Sequence, residues 1–171
     1  MVPTLYLFVG YPGAGKTTIA QIIAEATGGV HLWADQERHR RFPNPTHSLD
    51  ESDQLYAELN DEAQALLEAG QTVIFDTNFN FRGDRDKLRA IAEEAGAETC
   101  LLWIATPEEI AKERATNDQA APRNGYSSPM SPTQFSNITC KLETPDEDEQ
   151  PIIIDGTNVD KAALLQWLNL N

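Results

Sequence analysis

The chain has 171 residues and a mass of 18.9 kDa, which corresponds to roughly one domain with a hydrophobic core of its own. Lysine and arginine total 13 against 27 aspartates and glutamates, and the net charge of −14 disfavours broad binding to nucleic acid. No stretch approaches the ~20 apolar residues that span a bilayer, and no basic region opens the chain as in a signal peptide. The expectation is one domain over residues 1–171, in the cytoplasm and without membrane contact.

Short apolar runs predict the strands of a parallel sheet. They lie at residues 5–9, 72–75, 100–104 and 152–154, with a weaker run at 30–33. The runs are rich in branched and aromatic residues and do not alternate with polar ones, as is typical of strands buried on both faces. Helical spacing of the apolar residues between the runs implies right-handed crossovers, with helices on both faces of the sheet. The predicted fold class is therefore α/β.

Two polar stretches do not fit this alternation, and an acidic run follows them. Residues 40–52 hold Pro43, Pro45 and few apolar side chains, so they predict a surface loop. Residues 117–131 form a long connection with two prolines and a glycine, and such connections are usually functional lids or disordered. The acidic run at 143–149 is interpreted as a solvated loop.

The first connection of the chain carries a complete phosphate-binding motif. Residues 10–17 read Gly-Tyr-Pro-Gly-Ala-Gly-Lys-Thr and match G-x-x-x-x-G-K-[ST], with a predicted strand before and a helix after. Lys16 is expected to reach the β- and γ-phosphates of a nucleoside triphosphate, and the Thr17 hydroxyl to ligate Mg²⁺. The predicted nucleotide contacts are Gly10, Pro12, Gly13, Ala14, Gly15, Lys16, Thr17 and Thr18.

Two aspartates follow predicted strands and should face the same crevice, because ligands bind at the carboxyl ends of parallel strands. Asp76 ends a hydrophobic strand like a Walker B acid, which can hold Mg²⁺ directly or through water. The alternative is an aspartate that caps a turn. Asp35 precedes Arg38 by three residues, so the pair could serve as a general base and an anion-binding group, or form a surface ion pair.

Three segments together resemble a known group of enzymes. They are Gly-Tyr-Pro-Gly-Ala-Gly-Lys-Thr-Thr at 10–18, Asp-Gln-Glu-Arg at 35–38, and Val-Ile-Phe-Asp-Thr-Asn-Phe-Asn at 73–80. The combination is similar to the AAA-type ATP-binding P-loop kinases related to the polynucleotide 5′-kinase domain, with zeta-toxin kinases and gluconate-kinase-like enzymes as wider relatives. The resemblance implies a three-layer α/β sandwich with a five-stranded parallel sheet and a small lid, here at about residues 115–132.

The resemblance also implies residue roles. It makes Asp35 the general base and assigns acceptor contacts to Arg38, Asp76 and Asn78. An arginine at the start of the lid neutralises charge on the transferred group, and Arg114 fits that position. The other candidates are Arg82 and Arg85 for an acceptor anion, with surface charge as the alternative reading, and Asn158 for the adenine base.

The chain departs from the group in the lid. Relatives usually carry a second arginine four residues after the first, where this chain has Asp118. An aspartate cannot stabilise developing negative charge, and Arg123 is the candidate substitute.

The predicted function is an ATP- and Mg²⁺-dependent phosphotransferase that moves the γ-phosphoryl group to a hydroxyl acceptor, a small molecule or a nucleoside or nucleotide. One alternative is a polynucleotide 5′-hydroxyl kinase, which the acidic net charge disfavours. A second is a non-catalytic ATP-binding switch or assembly factor, which the Asp118 departure favours. The preference for ATP rests on the resemblance, and the oligomeric state is left open.

Overall fold

The computed structural model describes residues 2–117, 126 and 129–170. Its strands are β1 (Thr4–Val9), β2 (Val30–Trp33), β3 (Val73–Asp76), β4 (Glu98–Ile104) and β5 (Ile152–Ile154). They form a sheet in the order β2-β3-β1-β4-β5, and every neighbouring pair is parallel. The predicted α/β class and its five parallel strands are confirmed.

Helices cover both faces of the sheet. They are α1 (Lys16–Thr27), α2 (Ala34–Arg41), α3 (Leu49–Glu68), α4 (Arg82–Glu94), α5 (Glu108–Thr116), α6 (Pro132–Thr139) and α7 (Lys161–Trp167), with a short 3-10 helix at Glu147–Glu149. The apolar sides of α3 and α4 pack in one core cluster, and those of α1 and α7 pack in the other. This arrangement is the expected three-layer sandwich.

The prediction of a surface loop over residues 40–52 is wrong at both ends. Helix α2 continues to Arg41, and α3 begins at Leu49. The Ser48 hydroxyl accepts a hydrogen bond from the backbone N–H of Glu51 at 3.2 Å, which caps the first turn of α3. The sequence analysis did not identify this Ser-x-x-Glu helix start, because Pro43 and Pro45 just before it favour a loop.

Most of the predicted lid at about 115–132 lies outside the described residues, and so do Asp118 and Arg123. After this gap, α6 starts with Ser131 and Gln134 bonded to each other's backbone N–H groups as a capping box. Within the described parts of the chain, no helix combines the length and apolar composition needed to cross a membrane.

Candidate nucleotide and acceptor site

The phosphate loop follows β1 and is packed so tightly that parts of it tolerate only glycine. Gly13 has a φ of +79°, and a Cβ there would lie 2.3 Å from the backbone oxygen of Ala111 in α5. Gly10 has a φ of +152°, and its Cβ would lie 2.8 Å from the oxygen of Ile104 at the end of β4. The loop is therefore wedged against β4 and α5 by close backbone contact.

Lys16 is held by the carbonyl groups of its own loop. Its Nζ donates hydrogen bonds to the backbone oxygens of Gly10 and Tyr11, each at 2.8 Å. Part of the side chain is accessible, but burial of the ammonium group lowers the pKa of Lys16 to about 8, against the opposing charges of Asp76 and Asp35. A bound phosphate would offer this ammonium group a full negative charge.

Asp76 ends β3 as a buried carboxylate. Its Oδ2 lies 3.0 Å from Nε2 of His31, and the His31 ring stacks on Trp33 with centroids 6.0 Å apart. The sequence interpretation missed His31, whose contact with Asp76 depends on β2 and β3 being neighbours, with Trp33 opposite Asp76 in register. The oxygen atoms of Asp76 and Thr17 are the hard ligands that Mg²⁺ prefers, so the residues predicted to hold this ion fit it chemically.

Asp35 lies in the first turn of α2, directly after β2. Asp35 is an exposed residue. Desolvation and the charge of Asp76 raise the pKa of Asp35, and the positive charges of His47, Arg38 and Lys16 only partly oppose this rise. Asp35, Asp76 and Lys16 therefore lie near one another at the carboxyl ends of β2, β3 and β1, where the crevice of an open parallel sheet is found.

Tyr126 reaches the same end of β2 from the lid segment. Its ring packs edge-on against Trp33 with centroids 5.0 Å apart, and its hydroxyl accepts a hydrogen bond from Gln36 at 3.3 Å. Phe135, by contrast, packs against Tyr11 and helix α5.

Arg38 is paired with a carboxylate and does not offer an unpaired positive charge to the crevice. It is buried, its Nη1 lies 2.5 Å from Oε1 of Glu51, and its Nη2 donates to the Ser52 hydroxyl at 3.3 Å. Glu51 also accepts hydrogen bonds from Thr46. The pairing joins α2 to the start of α3. In this structure Arg38 is therefore bonded within the protein and not in the position predicted for an acceptor contact.

Arg85 is fully buried and occupied by protein groups, which corrects the prediction that it contacts the acceptor. Its Nε and Nη2 donate to the two carboxylate oxygens of Glu149 at 2.7 and 2.6 Å, and Nη1 donates to the backbone oxygens of Phe79 and Glu143. Burial alone would raise the pKa of Glu149, but the guanidinium groups of Arg85 and Arg89 hold it at about 2.

Part of the acidic run at residues 143–149 is therefore packed against the rest of the protein. The prediction that residues 143–149 form a solvated loop is wrong for Glu149, which is buried. Arg82, the other predicted acceptor contact on α4, is half-exposed and pairs with Asp148, Asp146 and Asp86. The acidic run thus supplies the carboxylates that neutralise the arginines of α4.

The loop after β3 holds two amide oxygens without a hydrogen-bond donor. They are Oδ1 of Asn78 and Oδ1 of Asn80, both screened from solvent and unpaired among the described residues. The loop itself is well fixed, since the Thr77 hydroxyl lies 2.9 Å from that of Tyr56 and the Asn80 carbonyl accepts the Glu143 N–H at 2.8 Å. Unpaired buried acceptors cost about 1–3 kcal/mol each and mark positions where a ligand or water donor fits.

The loop after β5 lies against the phosphate loop. A Cβ on Gly156 would meet the Thr106 hydroxyl at 2.2 Å and the Ala14 carbonyl at 2.3 Å, and these two groups are themselves hydrogen-bonded at 2.8 Å. Arg114 donates to the backbone oxygens of Gly156 and Thr157 at 2.9 and 3.4 Å. Asn158 follows in this loop as an exposed residue, and Thr106 is a contact that the sequence interpretation missed.

The sheet order, the phosphate loop and the aspartates at the strand ends define a kinase-like P-loop protein. A family model described as AAA domain matches residues 5–131, so the chain belongs to this family. Among curated proteins, the adenylyl-sulfate kinase of Shewanella halifaxensis (strain HAW-EB4) is 27% identical over 177 residues, covering 97% of this chain and 82% of that protein.

Solved structures show the same fold. Chaetomium thermophilum Kti12 in complex with ADP-AlF3 is similar with a TM-score of 0.72 and 21% identity, covering 99% of this chain and 100% of that one. The Mycobacterium tuberculosis APS kinase CysC, in complex with AMPPNP and APS, is similar with a TM-score of 0.69 and 16% identity, covering 98% and 96%. The resemblance to the P-loop kinase group is confirmed.

Proposed function

We propose that the protein is an ATP- and Mg²⁺-dependent kinase that transfers the γ-phosphoryl group to a hydroxyl group of a small molecule. The observation that carries this proposal is the placement of Asp35. Asp35 lies in the first turn of α2, in the crevice shared with Lys16 and Asp76, and the pKa of its carboxyl group is raised above the usual range. A carboxylate of this kind is suited to take a proton from an acceptor hydroxyl.

In the proposed reaction, the acceptor hydroxyl loses its proton to Asp35 as its oxygen bonds to the γ-phosphorus, and the bond from phosphorus to the ADP oxygen breaks. Lys16 stabilises negative charge on the β- and γ-phosphates. Thr17 and Asp76 would hold Mg²⁺, which supplies further charge neutralisation when bound. Arg114 and Arg123 are the proposed lid arginines, and Asn158 the proposed neighbour of the base.

The experiment is transfer of labelled γ-phosphate from Mg·ATP to a metabolite extract. Asp35→Asn should reduce transfer by roughly 10²–10⁴-fold while ATP binding persists, because general-base catalysis contributes about that much. Asp61→Asn, an exposed change of the same kind on α3, serves as the matched control and should transfer like the wild type. Full transfer by Asp35→Asn would refute the role of Asp35.

A parallel arm with a 5′-hydroxyl oligonucleotide tests the polynucleotide kinase alternative. The net charge of −14 and the carboxylate partners of Arg82, Arg85 and Arg89 disfavour it, since a strand channel needs exposed positive charge. Label on the oligonucleotide that Asp35→Asn abolishes would establish it. ATP binding without label on either acceptor would favour the nucleotide-switch alternative.

A further inference from the structure

The arginines of α2 and α4 are neutralised within the chain. Those on α2 pair with glutamates: Arg38 with Glu51, Arg40 with Glu37, and Arg41 with Glu37, Glu58 and Glu62. Those on α4 pair with the acidic run and with Asp86: Arg82 with Asp148 and Asp146, Arg85 with Glu149, and Arg89 with Asp86 and Glu149. An anionic acceptor would have to compete with these carboxylates for each guanidinium group.

The competition is strongly unequal for Arg38, which is the arginine nearest to Asp35 in sequence and stands one helical turn after it. The side chains of Arg38 and Glu51 are only 7% and 8% exposed. Taking Arg38 to a ligand anion would leave the Glu51 carboxylate buried without its partner, and such an uncompensated buried charge is strongly unfavourable. Arg38 is therefore part of the structural frame of the crevice.

Two of the three charged groups described at the crevice are carboxylates, those of Asp35 and Asp76. The loop that follows Asp76 holds the buried, unpaired Oδ1 atoms of Asn78 and Asn80. The positive charges that act on Asp35 come from His47, Arg38 and Lys16. Of these, Arg38 is paired with Glu51 and Lys16 belongs to the phosphate loop, which leaves the imidazole of His47 beside two carboxylates. The described acceptor side therefore favours ligands that bring donors.

We infer that the acceptor is an uncharged or cationic molecule rich in hydroxyl or ammonium donors, without a phosphate, sulfate or carboxylate group near the reacting hydroxyl. This inference rests on the proposed kinase function and assigns its substrate class. A hydroxyl or ammonium group can donate to the carboxylates and amide oxygens, whereas a second anion beside Asp35 and Asp76 adds like-charge repulsion.

The test divides a metabolite extract by strong anion exchange. The flow-through holds neutral and cationic compounds, and the salt eluate, after desalting, holds anionic ones. Each pool receives γ-labelled Mg·ATP with wild-type protein, with Asp35→Asn to reveal contaminating kinases, or with Asp61→Asn as the control. We expect at least about tenfold more Asp35-dependent label from the flow-through pool, given the strength of like-charge repulsion.

Each outcome has a separate meaning. Equal or greater label from the anionic pool would overturn the inference but leave the kinase proposal standing. Label from neither pool, with Mg·ATP bound, would overturn the proposed function and the inference together.

A charge variant tests the cause of the preference. Glu51→Gln releases Arg38 from its ion pair and should shift the ratio of label between the pools several-fold toward anionic acceptors. Glu58→Gln is the matched control, because it makes the same change on the same helix and its partner Arg41 keeps Glu37 and Glu62. Thermal unfolding verifies that both variants fold. An unchanged ratio in folded Glu51→Gln would refute the role assigned to the Arg38–Glu51 pair.

Discussion

The phosphate loop and the proposed acceptor side of the crevice, which comprises α2, the start of α3 and the loop after β3, are held in place by different forces. On the phosphate side, Gly13 and Gly156 lie against backbone of other elements so closely that a Cβ would reach within 2.3 Å. On the acceptor side, buried ion pairs such as Arg38–Glu51 and Arg85–Glu149 join helices and loops that are distant in sequence. One side therefore depends on the absence of side chains, and the other on the pairing of charged ones.

The largest effect on stability is expected on the acceptor side, from Glu149→Gln. This change leaves the Arg85 guanidinium buried with a neutral partner, and breaking such a pair costs about 3–5 kcal/mol. Arg85 also donates to the carbonyl of Phe79, so the loop that carries Asn78 should loosen as well. Urea unfolding measures the free energy directly.

Asp148→Asn is the matched control for this change. Asp148 lies in the same acidic run, but its pair with Arg82 is open to solvent, and such surface pairs contribute about 0–1 kcal/mol. Equal losses from the two variants would show that burial does not distinguish these ion pairs, and the contrast between the two sides would lose its basis.

An intermediate effect is expected on the phosphate side, from Gly13→Ala. The added methyl group meets the Ala111 carbonyl at a backbone position with positive φ, so we expect a loss of about 1–3 kcal/mol in unfolding free energy. Weaker Mg·ATP binding should accompany it. Gly83→Ala is the control, because a Cβ there meets nothing within 4 Å inside α4, and it should stabilise the protein by about 0.5–1 kcal/mol. Similar results for both variants would contradict the steric account.

The same contrast explains which features could be predicted from sequence. The phosphate loop was recognisable because its geometry restricts the residue types at fixed local spacing, and the strands were recognisable from their continuous apolar runs. The partners of Arg38 and Arg85 lie 13 and 64 positions away, and no local pattern indicates which of many carboxylates each arginine meets. His31 was missed for the same reason, because its contact with Asp76 depends on which strands are neighbours.

The smallest expected effect concerns the protonation of Lys16. Its pKa of about 8 in the free protein means that a large share of the side chain is neutral at pH 8.5, whereas a bound triphosphate favours the charged form. Binding of Mg·ATP should therefore take up about 0.8 proton at pH 8.5 and almost none at pH 6.5, and affinity should fall as pH rises through 8. Calorimetry in buffers of different ionisation enthalpy measures this uptake. Lys16→Met should abolish the uptake, whereas Asp35→Asn should slightly increase it, because the charge of Asp35 raises the pKa of Lys16 and its loss leaves more of Lys16 neutral in the free protein. Equal uptake by wild type and Lys16→Met would show that another group takes up the proton. It would refute the proposal that Lys16 becomes charged when the triphosphate binds.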